Sequence, residues 1–177
     1  MSPNMSLILD TPRLLLKPIL ASQVDTLHHI LTDSYVRRYL CDDQILSLEK
    51  TTEMLMESLR LFAQENFGLW LIETKTEGEI IGFVGLWYFF EEEQPQLAYA
   101  LLPQGTKKGY ATEAATRIVN YCFQELGYGY VIASCDRPNV ESQKVATRIG
   151  MRQIEERMIN GNPVLFWRME KPQTEVG

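Results

Sequence analysis

Leu101-Leu102-Pro103-Gln104-Gly105-Thr106-Lys107-Lys108-Gly109-Tyr110-Ala111-Thr112-Glu113-Ala114 is the stretch on which the reading of this chain turns. An apolar strand ending at Leu102 runs into a loop with two Gly and two Lys. The loop opens a helix whose first turn reads Tyr-Ala-Thr-Glu. The start of a helix leaves several main-chain N–H groups without partners and carries partial positive charge. Gly109 lets the backbone approach a ligand closely, and Lys107 and Lys108 add two full charges. A phosphate-bearing ligand suits such a place. An ordinary strand–loop–helix connection with surface lysines fits the loop, taken alone, equally well. Spacing excludes two other phosphate motifs. Gly105 and Gly109 are too close for G-x-x-x-x-G-K-[ST], and no third Gly completes G-x-G-x-x-G.

Upstream, residues 7–18 read as an extended start, with one short edge strand bounded by Pro12 and Pro18. Ser22 is a candidate N-cap for a helix carrying Val24, Leu27, Ile30 and Leu31 at helical spacing. His28 and His29 are adjacent, point in different directions and make a poor metal pair. Ser47 caps a second helix with an expected buried stripe of Leu48, Thr52, Leu55, Leu59, Phe62 and Ala63. Residues 67–73 and 80–90 read as a hairpin around the turn 76–79, with an acidic tip at Glu91, Glu92 and Glu93. Residues 96–102 return as the strand that feeds the loop.

Downstream, the helix after the loop buries Ala111, Ala115, Ile118, Val119, Cys122 and Leu126, and stops at Gly127. A strand at 131–135 and a short helix at 141–149 follow. A last hairpin turns on Asn160-Gly161, with Phe166 and Trp167 reading as exposed or as core. Residues 172–177 read as a loose tail. The order predicts an α+β (α/β layered) fold around a mixed, mostly antiparallel twisted sheet with helices on both faces. With 177 residues, one domain spanning 1–177 is expected, with its core at 7–171.

The composition, 45% hydrophobic and 23% charged, is that of a globular protein. A net charge of −6 argues against nucleic acid as the main partner. No apolar run reaches membrane-span length, and the start Met1-Ser2-Pro3-Asn4 lacks a signal-peptide pattern. Cys41, Cys122 and Cys135 are widely spaced and form no metal signature or disulfide framework, which fits a reducing cytosol. No metal and no membrane partner are expected, and the chain reads as a monomer or homodimer.

Three phrases together resemble the GNAT-type N-acetyltransferases, and within them the RimJ/RimL-like ribosomal-protein branch. They are Thr11-Pro12-Arg13-Leu14-Leu15-Leu16-Lys17-Pro18, Gly109-Tyr110-Ala111-Thr112-Glu113-Ala114, and the segment from Asp136 to Met151 with its Asn139 and Ser142. The loop matches the second half of that family's [QR]-x-x-G-x-[GA] pattern. It departs at Thr106, where Gln, Arg or Trp is usual, and at Lys107, where Gly is common.

The resemblance implies acetyl transfer from acetyl-CoA to a primary amine, on a protein N-terminus or a small molecule, by direct attack in a ternary complex. It implies that amides of Lys107, Lys108, Gly109, Tyr110, Ala111 and Thr112 hold the pyrophosphate. The strand edge at Ala100, Leu101 and Leu102 would pair with pantetheine, and an N–H near Ala100 or Leu101 would polarise the thioester. Asn139 and Lys144 would add contacts to CoA. Ser142 would give the thiolate its proton, with Tyr99 and Cys135 as weaker candidates. Gln96 stands where relatives often keep a Glu, and Gln accepts no proton at neutral pH. That leaves Glu93, or its neighbours Glu91 and Glu92, to take the proton of the amine. The alternative implied by Gln96 is a non-catalytic acyl-CoA-binding or interaction module.

Overall fold

The computed structural model describes residues 7–90 and 92–174. Part of the expected acidic tip (Glu91) and the end of the expected tail lie outside the described residues. Among the described residues, eight strands form one sheet in the order β1-β2-β3-β4-β5-β6-β8-β7. They are β1 (Leu9–Asp10), β2 (Leu14–Pro18), β3 (Leu69–Thr74), β4 (Ile80–Trp87), β5 (Gln96–Leu101), β6 (Tyr130–Asp136), β7 (Arg152–Ile159) and β8 (Asn162–Glu170). Every pairing is antiparallel except β5 with β6. The helices are α1 (Val24–Thr32), α2 (Ser34–Leu40), α3 (Leu48–Glu65), α4 (Tyr110–Gln124) and α5 (Val140–Ile149).

Apolar side chains alternate between the two sides of the central strands, so the sheet has two cores. One joins Trp70, Val84 and Leu97 to Ile118, Val119 and Val145 of α4 and α5. The other joins Leu71, Phe83 and Ala100 to Leu27, Ile30 and Leu55 of α1 and α3. The mixed, mostly antiparallel sheet with helices on both faces is the arrangement expected from the element order.

Local signals fixed several boundaries. The Ser47 hydroxyl accepts from the Lys50 N–H and starts α3. Asn160 and Gly161, at φ 50° and 80°, make the turn between β7 and β8. Elsewhere the structure corrects the sequence. The opening segment is two strands, not one: the Thr11 N–H bonds to the Leu14 carbonyl and folds β1 back on β2. Ser22 sits in a 3-10 turn rather than capping α1, and Gln23 instead accepts from the Leu20 N–H. Phe166 and Trp167 are buried.

The stripe of α3 is rotated from its expected place. Leu48, Thr52 and Ala63 of the expected stripe are exposed, while Thr51 and Ser58 are buried. The two hydroxyls can be inside because each has a partner. Thr51 Oγ1 meets His28 Nδ1 at 2.8 Å, and Ser58 Oγ accepts from the Leu69 N–H at 2.8 Å.

Candidate active site

The site begins with a register that stops. β5 pairs with β4 along its whole length, from Gln96↔Trp87 to Leu101↔Gly82. With β6 it pairs only at Gln96↔Ile132 and Leu97↔Ala133. Beyond Leu97 the two neighbours part, and among the described residues the β6 side of β5 has no strand to bond. The Leu102 N–H bonds to Ile81 of the β4 side, so by the alternation of an antiparallel ladder the peptide groups of Ala98 and Ala100 also turn toward β4. Those of Tyr99 and Leu101 turn into the gap. This corrects one expectation: the main-chain groups of Ala100 and the Leu102 N–H are spent inside the sheet, the Leu102 carbonyl accepts from the Gly105 N–H, and the free edge belongs to Tyr99 and Leu101.

β5 leads through a 3-10 turn, Pro103–Gly105, into the loop before α4. Lys107 and Gly109 adopt φ 61° and 80°. Alternating backbone handedness of this kind curls consecutive N–H groups around a concavity that suits an anion. Gly109 is the N-cap of α4 and supplies no side-chain cap. Among the described residues, the N–H groups of residues 107–112 have no hydrogen-bond partner. Lys107 and Lys108 are exposed and in no ion pair among the described residues.

The sequence reading missed what braces this loop. Glu113, in the first turn of α4, receives the Thr11 hydroxyl at 2.6 Å, the Arg13 N–H at 3.0 Å and Arg13 Nε at 2.8 Å. Arg13 Nη1 donates to the Lys108 carbonyl at 2.8 Å, and its guanidinium lies 4.5 Å from the Tyr110 ring centre. Burial pushes the Glu113 carboxyl up, but the Thr11 and Arg13 donors outweigh it and hold the group below its ordinary value.

α5 starts on the other side of the gap, and there Asn139 caps it: its Oδ1 accepts from the Ser142 N–H at 3.2 Å. The Ser142 hydroxyl faces β5, where the Tyr99 hydroxyl donates to Ser142 Oγ at 3.0 Å. Burial raises the Tyr99 phenol to about 12, so it stays a donor at any physiological pH. Cys135 on β6 is pushed up to about 11, chiefly by burial, so its thiolate is scarce near neutrality. His28 is tied to Thr51. Lys144 lies on the outer face of α5, exposed and 3.3 Å from Glu141.

Gln96 and Ser134 meet on the opposite face of the sheet. Gln96 is 0% exposed. The Ser134 hydroxyl donates to its Oε1 at 2.8 Å, and Nε2 has no partner among the described residues. Asp136 ends β6 on the same face as Ser134 by the alternation of the strand. Burial and the charge of Asp42 raise its carboxyl. Glu92 pairs with Arg157, Glu93 is exposed, and Glu91 lies outside the described residues. Of the α2 residues, Arg37 pairs with Asp43 at 3.5 Å.

The acetyltransferase (GNAT) domain family matches residues 13–152, so the chain belongs to the GNAT acetyltransferase family. Its relatives include the uncharacterized N-acetyltransferase YoaA of Bacillus subtilis, 24% identical over 147 residues, with 82% of this chain and 83% of that protein covered. Among solved structures, a GNAT-family acetyltransferase from Bacillus anthracis superposes with a TM-score of 0.77 at 21% identity, covering 92% of this chain and 98% of that one. RimL, the ribosomal L7/L12 alpha-N-protein acetyltransferase, solved with coenzyme A, gives a TM-score of 0.77 at 17% identity, covering 92% and 97%.

Proposed function

We propose that the protein is a RimJ/RimL-like N-acetyltransferase that moves an acetyl group from acetyl-CoA to a primary amine, by direct attack with both substrates bound. The observation that carries this reading is the row of amides at residues 107–112, unpartnered among the described residues, beside the open edge of β5. A diphosphate accepts from such amides, and the charges of Lys107 and Lys108 add to the attraction. Pantetheine amides extend along β5 as a strand would, pairing with Tyr99 and Leu101. The Leu101 N–H then faces the thioester carbonyl, where negative charge builds up.

The neutral amine attacks that carbonyl, the C–N bond forms and the C–S bond breaks. The thiolate takes the proton of Ser142; the Tyr99 hydroxyl that already donates to Ser142 stabilises the oxygen left behind, which regains its proton from water. The amine loses its own proton to Glu93 or to Asp136. Gln96 takes no part as a base. An α-amine, with a pKa of about 7.7–8.0, needs far less help than a lysine at about 10.4, which favours a peptide N-terminus or a small amine of low pKa as acceptor.

Thiol release from acetyl-CoA over a panel of peptides and small amines, with a control lacking enzyme, tests the reading. Release that depends on both enzyme and amine is expected. Tight acetyl-CoA binding with no release on any amine would shift the assignment to a non-catalytic acyl-CoA-binding module, the reading that buried Gln96 favours. Glu93→Gln and Asp136→Asn then identify the proton acceptor by which one lowers kcat.

A further inference from the structure

We propose that Arg13 is the positioning residue of the diphosphate loop: by holding the Lys108 carbonyl it keeps the Gly109 N–H turned toward the ligand. The inference rests on the acetyl-CoA reading above. Peptide 108–109 is trans, as are all the described peptides, so its C=O and N–H point in opposite directions. Arg13 Nη1 holds the carbonyl at 2.8 Å, and the N–H must then face away from Arg13.

Such a hold matters at this peptide more than at most. Lys107 and Gly109 both have positive φ, and glycine accepts either sign of φ at little cost. Without the hold, rotation of peptide 108–109 would swing a carbonyl oxygen into the place where a phosphate oxygen belongs. Arg13 is itself fixed at three points: Nε on Glu113, its own N–H on Glu113, and the guanidinium plane over Tyr110. Thr11 takes part of the same carboxylate. The fork also offsets the negative charge of Glu113, which would otherwise stand in the first turn of the helix that receives a dianion. A lysine cannot replace it, since one ammonium on a flexible stem does not reach Glu113 and the Lys108 carbonyl in a fixed plane. Gly109 answers to the same residue, because a Cβ there would sit 3.3 Å from Arg13 Nη2.

Arg13→Met and Arg13→Lys test the inference, with folding followed by thermal melts. Acetyl-CoA affinity is read by calorimetry. Turnover is read with two donors, acetyl-CoA and the acetyl thioester of pantetheine, which ends before the diphosphate. The expected result is a tenfold or greater loss of acetyl-CoA affinity in both variants, a KM that rises with it, and a kcat at saturation within twofold of wild type. With acetyl-pantetheine, kcat/KM should be unchanged. An acetyl-CoA affinity within twofold of wild type overturns the proposal, as does an equal fall of kcat/KM with both donors. Failure of the wild-type protein itself to bind acetyl-CoA would instead sink the reading on which the inference rests.

Discussion

Two helices start at the gap between β5 and β6, each reached from one of those strands, and they start differently. α5 opens on Asn139, whose side chain satisfies the Ser142 N–H. α4 opens on Gly109, which has no side chain, and its first amides have no partner among the described residues. Each carries an acidic residue in its first turn, but Glu141 of α5 only meets exposed Lys144, whereas Glu113 of α4 is locked to Arg13 and Thr11. A helix start that caps itself is a structural joint. A helix start that is braced from behind and left open in front suits an anionic ligand. The difference lies in which groups are withheld from the fold, and composition does not reveal it.

The comparison can be broken most directly at Gly109. Gly109→Trp places a bulky side chain at a positive φ and against Arg13, and should weaken acetyl-CoA binding by roughly 100-fold or more, about 2.7 kcal/mol. Calorimetry showing affinity like wild type would refute the loop geometry. Next, Ser142→Ala should lower kcat by about 100-fold, the lower end of what a positioned proton donor supplies, while acetyl-CoA affinity holds. Tyr99→Phe should lower it less, and no alkaline limb from Tyr99 should appear in the rate profile below about pH 11, given its raised phenol. A kcat unchanged in Ser142→Ala would remove Ser142 from the chemistry.

At α5, Asn139→Ala should cost about 1 kcal/mol of stability through loss of the cap, measured by denaturant melts, and leave acetyl-CoA affinity within twofold. A large loss of affinity there would mean that the two helix starts are not so different.

The smallest expected effects concern pH. Glu113 is held below its ordinary value in the fold, so it stabilises above the unfolded carboxylate pKa of about 4.3, and that stability is lost as pH falls through the folded value. The melting difference between wild type and Glu113→Gln should therefore shrink in acid. Asp136 is raised, so its sign is opposite. Its ionisation destabilises the fold at neutral pH, and Asp136→Asn should melt higher at pH 7, with the gain gone below about pH 4. Parallel pH trends in the two variants would contradict these assignments.

Much of the fold was legible because short-range chemistry set it. Ser47, Gly150 and Asn160-Gly161 ended or began elements where their side chains or their backbone freedom dictate. The stripe of α3 was misread because Thr51 and Ser58 are polar by type yet buried by partnership, with His28 on α1 and the Leu69 amide on β3. Nothing near them in sequence announces those partners. Phe166 and Trp167 read as exposed or as core for the same reason: a strand's burial depends on what packs against it.

The sequence by itself determined the loop, its glycine, its lysines and the helix that follows, since these depend on residues within one turn of each other. The cap of α5 by Asn139 is equally local, since it closes on the Ser142 N–H three positions on. Only the tertiary structure decided that β5 and β6 part after Leu97, that Tyr99 and Leu101 rather than Ala100 and Leu102 face the gap, and that Arg13 reaches Glu113 across 100 positions of chain. Register and long-range pairing are set by the sum of packing on both faces of a sheet, and no local stretch contains that sum.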